Sequence, residues 1–179
     1  GFCRNGTGES CAIANVLPNG NVSLIEGSMD IGGTRTAVAQ QFAEVLSLPI
    51  EDIIPKVADT DTIGYTSSTG GSSVVFKTGW AAHEAAHDVM RQLIERASII
   101  WDVPQNQVEY VNGVLQHKSD PELHMTFKEI SSMLPDTGGP IVGRANINPG
   151  GAGGSYSANI VDVEVDIETG KVTILRLTA

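Results

Sequence analysis

Apolar side chains in this chain recur first with the period of a strand and then with the period of a helix. Cys11 to Val16 and Val22 to Glu26 are β-compatible runs separated by Pro18-Asn19-Gly20-Asn21, and Asn-Gly between such runs predicts a hairpin. From Thr36 to Leu48, the residues Ala39, Phe42, Ala43 and Leu46 share one helical face, and Pro49 supplies the stop. Ile53 to Val57 predicts a short strand, and Gly79 to Trp101 the longest helix. A second hairpin is predicted where Val108-Glu109-Tyr110 and Val114-Leu115-Gln116 flank Val111-Asn112-Gly113. Thr126 to Met133 then reads as a short helix, and Tyr156 to Leu177 as a last hairpin turning at Glu168-Thr169-Gly170. Asp136 to Pro140 and Asn148 to Ser155 are rich in Gly and Pro and read as surface loops. The expected class is α+β, a two-layer arrangement with helices on one side of a mixed or antiparallel sheet. Without a Pro- or Ser-rich linker, residues 1–179 read as a single domain or lobe.

Composition narrows the function classes. A chain of 179 residues, 41% hydrophobic and 18% charged, can bury a core, about 70% of its unfolded surface at this size. There is no run of about 18 apolar residues that would predict a membrane span. The net charge of −10 carries no basic cluster, which argues against nucleic acid or anionic membrane as partners and suits a cytoplasmic surface. Cys3 and Cys11 could pair in an oxidising compartment, but they have neither metal-site nor CxxC spacing and read as ordinary thiols.

Two small-residue loops carry the candidate chemistry. Gly32-Gly33 leads into the first long helix, where glycine permits close backbone approach and the helix N-terminus suits an anion such as phosphate. Ser67-Ser68-Thr69-Gly70-Gly71-Ser72-Ser73 precedes the second long helix in the same way. Neither is a Walker loop or a GxGxxG fingerprint. Together they point to a ligand with several phosphates or many polar edges.

In order, DIGGTRT, AQQFAEVLSLPIEDI, DTDTIGYTSSTGGSS and GWAAHEAAHDV, followed near the end by VDVEVDIETGKV, resemble the molybdopterin-binding large subunit of the xanthine dehydrogenase and aldehyde oxidase family, the molybdenum hydroxylases. The resemblance spans nearly the whole chain. It implies a molybdopterin cofactor with molybdenum, in bacteria as the cytosine dinucleotide, bound by backbone N–H groups and hydroxyls. The family's GQG loop falls on Gly32 and Gly33 and its next hydroxyl residue on Thr34. Gln40 matches the glutamine of the following helix, and Gly70, Gly71 and Ser72 match the family's second loop. Two positions depart from the pattern: the glutamine between the first glycines is missing, and Ser73 replaces the residue, often arginine, after Gly-Gly-Ser. The family's glutamate base, in a Gly-x-Gly-Glu loop, has no counterpart here, and neither do iron-sulfur cysteine patterns. The resemblance thus implies a fragment of a larger subunit, with iron-sulfur and FAD subunits as partners of the parent and a small molecule as its substrate. Catalytic residues are expected elsewhere.

Two rival classes compete with that reading. His83-Glu84-Ala85-Ala86-His87 satisfies H-E-x-x-H on a predicted helix, the pattern of a zinc hydrolase with Glu84 as general base. A third ligand would have to come from His117, His124 or Glu95, none at the extended metzincin spacing. The bland alternative is a solvated helix flank. The other rival is a non-enzymatic module whose glycine loops bind a partner. Asp59-Thr60-Asp61 reads as a backbone-bonding turn rather than an acid/base pair, and Trp80 and Trp101 as packing anchors.

Overall fold

The structure, a computed structural model, describes residues 2–59, 61–151 and 154–179, with residues 2–4 described by their backbone. β1 (Phe2–Arg4), β2 (Ser10–Val16) and β3 (Val22–Glu26) come first, followed by α1 (Thr34–Leu46) and β4 (Ile53–Val57). α2 (Val74–Trp101) leads to β5 (Val108–Val111), β6 (Val114–His117) and β7 (His124–Thr126). α3 (Phe127–Met133), β8 (Val142–Ile147), β9 (Gly154–Tyr156), β10 (Ile160–Val165) and β11 (Val172–Thr178) complete the chain.

The central sheet has the order β4-β3-β2-β8 and is mixed: β3 pairs in parallel with β4, and β2 pairs antiparallel with both β3 and β8. Alternation along the strands turns Ala12, Ala14 and Val16 of β2 and Val22 and Leu24 of β3 into the core. There they meet Val38, Phe42 and Leu46 of α1 and Ala81, Ala85, Val89 and Leu93 of α2. Two layers, two helices on one sheet, are what the periodicities dictate. The β2–β3 and β5–β6 hairpins form where they were expected, the second on Asn112 and Gly113, both at positive φ.

Small residues set the close approach of the layers. A Cβ on Gly143 of β8 would run into the Ala85 carbonyl oxygen and come 2.5 Å from Val89 Cγ2, both on α2. A Cβ on Gly79 would overlap the side chain of Gln41, so this glycine lies inside α2, at its crossing with α1, rather than at its start.

Several boundaries differ from the sequence expectation. α2 begins at Val74, five residues before the expected Gly79, because Val74-Val75-Phe76 and Thr78 are poor helix formers that tertiary packing overrides. α1 spans Thr34–Leu46 rather than Thr36 to Leu48: Ser47 at φ 50 caps it, its N–H bonding back to Ala43 and Glu44. Residues 142–147, unassigned between two loop segments, form β8 at the edge of the central sheet. Tyr156 belongs to β9, paired with β1, so the last hairpin is Ile160–Val165 against Val172–Thr178. Part of the Gly150 to Gly154 run lies outside the described residues, as do Thr60 and the thiol of Cys3.

The β10–β11 hairpin is exposed on both faces, with Ile167 at its turn 94% exposed and Val163, Val165, Val172 and Ile174 open to solvent. Among the described residues no helix is long and apolar enough to cross a membrane.

Candidate cofactor site

Both glycine loops arrive at one cavity because of the hydrogen bonds beneath them. Gly27 opens the first loop (residues 27–33), and its Cβ position is 2.5 Å from Thr66 Oγ1, so the lead-in to the second loop (residues 66–73) packs directly on it. Ser28 Oγ lies 2.5 Å from Thr78 Oγ1, which is itself 2.9 Å from Ser10 Oγ; all three hydroxyls are buried and join the first loop, α2 and β2. The second loop is tied to the lead of β2 by Ser67 N–H donating to the Glu9 carbonyl at 3.0 Å. Gly6 N–H donates to the Gly71 carbonyl.

Ile31, Thr34, Thr69, Gly70, Ser72, Ser73, Val74 and Val75 line a cavity of about 400 Å³ between the loops. Thr34 is the first residue of α1, and Val74 and Val75 open α2, so two helix N-termini converge here. The two ends are not equivalent. At α1 the Asp30 carboxylate accepts from Arg35 N–H at 3.2 Å and from Thr34 Oγ1 at 3.4 Å, and it also pairs with the Arg35 guanidinium. At α2 there is neither a side-chain cap nor an acidic residue in the first turn. By contrast, the short α3 is closed by a complete capping box of Thr126 and Glu129. The uncompensated N–H groups and dipole of α2 therefore attract negative charge. Ser73, the α2 N-cap, is 2% exposed, and its Oγ has no hydrogen-bond partner among the described residues. A buried hydroxyl without a partner is costly; on the cavity wall, a ligand would supply that partner.

The glycines fit the same interpretation. Gly32, Gly33 and Gly71 have φ of 63, 85 and 58, and Ser72 follows at 55. A Cβ at Gly32, Gly33 or Gly70 would meet nothing within 4 Å. For Gly70, whose φ is not positive, neither backbone conformation nor intrachain packing explains the absent side chain.

Of the residues expected at a site, Thr34, Gly70 and Ser72 line this cavity together, with Gly32, Gly33 and Gly71 in the same two loops. Gln40 is not brought there. It faces a separate cleft over α1 and α2, together with Glu44, His83 and His87. Sequence reasoning placed Thr69 and Ser73 in the second loop without naming them as site residues, and it missed Lys77. The signal for Lys77 was a lone cation in the apolar run Val74-Val75-Phe76-Lys77, on a helix placed too late to include it. Lys77 is fully buried, and burial pulls its ammonium below the ordinary lysine value while the charge of Glu9 opposes the shift.

Glu26, at the end of β3 beside the first loop, is also buried, and burial pushes its carboxyl up to about 7 despite the Ser28 N–H bonded to it at 3.1 Å. Asp59 is different. It accepts from the N–H groups of Asp61 and Thr62, which hold its carboxyl below the usual range, as a backbone-bonding turn requires.

The zinc-hydrolase alternative does not survive the geometry. His83 and His87 share a half-exposed flank of α2, their rings 4.6 Å apart and edge to face, with Glu84 3.2 Å from His83 Nδ1. His117 bonds Gln107, His124 bonds the Pro121 carbonyl, and Glu95 pairs with Arg91. Among the described residues no three His, Cys, Asp or Glu side chains come together to hold a metal ion. Trp80, expected as a packing anchor, is 46% exposed and stacks edge-on against Phe76.

Comparisons with known proteins identify the family of this chain. The family model for the molybdopterin cofactor-binding domain matches residues 1–179. The xanthine dehydrogenase molybdenum-binding subunit of Escherichia coli O157:H7 is 25% identical over 179 residues, covering 95% of this chain and 24% of that protein. The carbon monoxide dehydrogenase large chain of Afipia carboxidovorans is 26% identical over 175 residues, covering 92% of this chain and 21% of that protein. Among solved structures, a Cu,Mo-CO dehydrogenase superposes with a TM-score of 0.84 at 23% identity, over 98% of this chain and 24% of that one. Quinoline 2-oxidoreductase from Pseudomonas putida 86 superposes with a TM-score of 0.78 at 19% identity, over 98% of this chain and 25% of that one. The chain spans about a quarter of the length of these relatives. It belongs to the molybdopterin cofactor-binding domain family, that of the xanthine dehydrogenase, aldehyde oxidase and carbon monoxide dehydrogenase large subunits.

Proposed function

We propose that this chain is one lobe of a molybdenum hydroxylase large subunit and that its two loops hold the phosphate-bearing part of the cofactor, as the cytosine dinucleotide form. The observation that carries this reading is the uncapped N-terminus of α2, with the unpartnered, buried Ser73 hydroxyl on the wall of the shared cavity. Phosphate oxygens accept hydrogen bonds, so an anion there takes up the Ser73 hydroxyl and the first-turn amides at once. Ser72, Thr34 and the amides around Gly70 and Gly71 supply further donors, and the open side of Gly70 leaves room for close approach. Gly32 and Gly33 are assigned to the same cofactor on the family pattern, whereas Gln40, which that pattern also includes, faces the separate cleft over α1 and α2. When bound, molybdenum on the pterin dithiolene supplies the redox chemistry of hydroxylation with oxygen from water. The residues described here bind and orient the cofactor, and none of them is assigned as a catalytic base.

The lobe works with the rest of its subunit, with iron-sulfur and FAD subunits, and on a small-molecule substrate in the cytoplasm. The β10–β11 hairpin supports the first of these partners. A two-stranded hairpin with apolar residues on both faces is marginal by itself in water, and an exposed apolar surface of this kind marks an interface. The experiment that tests the reading is elemental and nucleotide analysis of the full-length subunit. One molybdenum per subunit and a cytosine nucleotide released by acid support it; stoichiometric zinc, or neither metal nor nucleotide, contradicts it.

A further inference from the structure

Lys77 is 0% exposed, yet its ammonium is fully hydrogen-bonded to a single segment of the second loop. Nζ donates to the Ser67 carbonyl at 2.6 Å, to Ser67 Oγ at 2.8 Å and to the Ser68 carbonyl at 3.1 Å. An ammonium has three donors and no acceptor, so its bonding capacity is used on two adjacent residues. Burying a cation is expensive unless its hydrogen bonds are satisfied, and an apolar side chain would fill the same space without that cost. The gain therefore lies in what the ammonium does to the loop.

A trans peptide is planar, with its N–H opposed to its C=O. Drawing the Ser67 and Ser68 carbonyls toward Nζ turns the N–H groups of Ser68 and Thr69 the other way. Among the described residues neither N–H has an acceptor, and Thr69 lines the cavity that Gly70, Ser72 and Ser73 also line. Ser73 is one helical turn before Lys77, its carbonyl accepting from Lys77 N–H at 2.8 Å. One side chain thus connects the first turn of α2 to the start of the loop.

We propose that Lys77 is a positioning residue for cofactor binding: it fixes the Ser67-Ser68 backbone so that the Ser68 and Thr69 amides and the Thr69 to Ser73 segment present donors to an anionic group of the ligand. This rests on the cofactor reading above. It assigns to the second loop a buried tether that acts without touching the ligand.

The test uses the full-length subunit, with hydrogen exchange by mass spectrometry and molybdenum and cytosine-nucleotide content as joint readouts. Lys77→Met keeps the length and apolar stem and removes the donors. The expected result is at least tenfold faster exchange of the Ser67 amide, whose bond to the Glu9 carbonyl protects it, within the peptide covering residues 66–73, severalfold lower molybdenum and nucleotide, and wild-type exchange in α1 and β2. Lys77→Arg, which restores donors, recovers at least half of the cofactor content. Ser67→Ala, which retains the ammonium and removes one of its acceptors together with the hydroxyl's 3.2 Å bond to the Glu9 carbonyl, gives an intermediate effect and serves alone if Lys77→Met is insoluble. Wild-type cofactor content and loop exchange in Lys77→Met, or in Ser67→Ala, would overturn the assignment of Lys77 while leaving the cofactor reading intact. Faster exchange throughout α1 and β2 would also overturn it, by showing a purely structural lysine. A wild-type subunit without molybdenum or nucleotide would overturn the reading itself, and this inference with it.

Discussion

The hydroxyl of Ser28, at the start of the first glycine loop, lies 2.5 Å from that of Thr78, in the first turns of α2. Both residues are buried, and Thr78 also reaches Ser10 of β2 at 2.9 Å. The loop, the helix that carries the second loop, and the central strand are thus joined at one hydroxyl. Thr78→Val preserves shape and leaves two buried serine hydroxyls short of a partner. It should destabilise the chain by about 1–3 kcal/mol, read as a lowered denaturation midpoint with an unchanged denaturant slope. No change would show that the cluster does not tie the loop to the core.

Gly143 and Gly79 should respond unequally to the same substitution. Gly143→Ala drives a methyl group into the α2 backbone at Ala85 and Val89, which cannot move without parting the layers, and should cost about 1–3 kcal/mol. At Gly79 the atoms nearest the new methyl are the end of the Gln41 side chain, which can turn aside at the cost of its 3.1 Å hydrogen bond to the Val75 carbonyl, and alanine gains roughly 1 kcal/mol of helix propensity. Gly79→Ala should therefore change stability by less than about 1 kcal/mol. Equal losses in the two variants would contradict this account of helix packing.

Glu26 gives the chain a pH signature. Its carboxyl is raised from 4.5 to about 7 by burial, so the folded state holds a proton that the unfolded state has already released. Its contribution is most favourable below about pH 4.5, declines as pH rises, and is fully lost above about pH 7. The loss amounts to roughly 3 kcal/mol at most. Glu26→Gln stays neutral and keeps an acceptor for the Ser28 N–H. The thermal midpoint of the variant should exceed that of the wild type by a margin that grows from pH 4.5 to 7 and is constant beyond. A margin independent of pH would show that folding does not raise the Glu26 carboxyl above its unfolded value.

His83→Ala and His87→Ala should each change stability by no more than about 0.5 kcal/mol, as for other exposed positions, and leave the zinc content of the purified chain unaltered. Loss of bound zinc together with unfolding in His87→Ala would reinstate the metal reading.

Much of this was legible in the sequence because it rests on local physics. Asn112-Gly113 specifies its turn by backbone conformation, and the Ala39, Phe42, Ala43, Leu46 stripe specifies the buried face of α1. What the sequence obscured depends on tertiary contacts. Val74-Val75-Phe76 extends a helix whose later turns, Ala81, Ala85, Val89 and Leu93, are held in the core, and Gly143, which weakens the pattern of β8 as a strand, is there to admit Ala85. In the site, the glycines and hydroxyls of both loops stood out by composition. The roles of Ser73 and Lys77 depend on burial and hydrogen-bond partners that no spacing along the chain reveals.

The most direct test of the central claim is the cofactor content of glycine variants in the full-length subunit. Gly33 and Gly71 combine positive φ with positions in the two glycine loops proposed to hold the cofactor. A valine at either adds a branched side chain at the proposed cofactor site and backbone strain of about 1–3 kcal/mol. Gly150 lies in open space outside both loops. Gly33→Val and Gly71→Val should yield soluble subunit depleted of molybdenum and cytosine nucleotide, with Gly150→Val near wild type. Equal occupancy in all three would contradict the assignment of these loops to the cofactor.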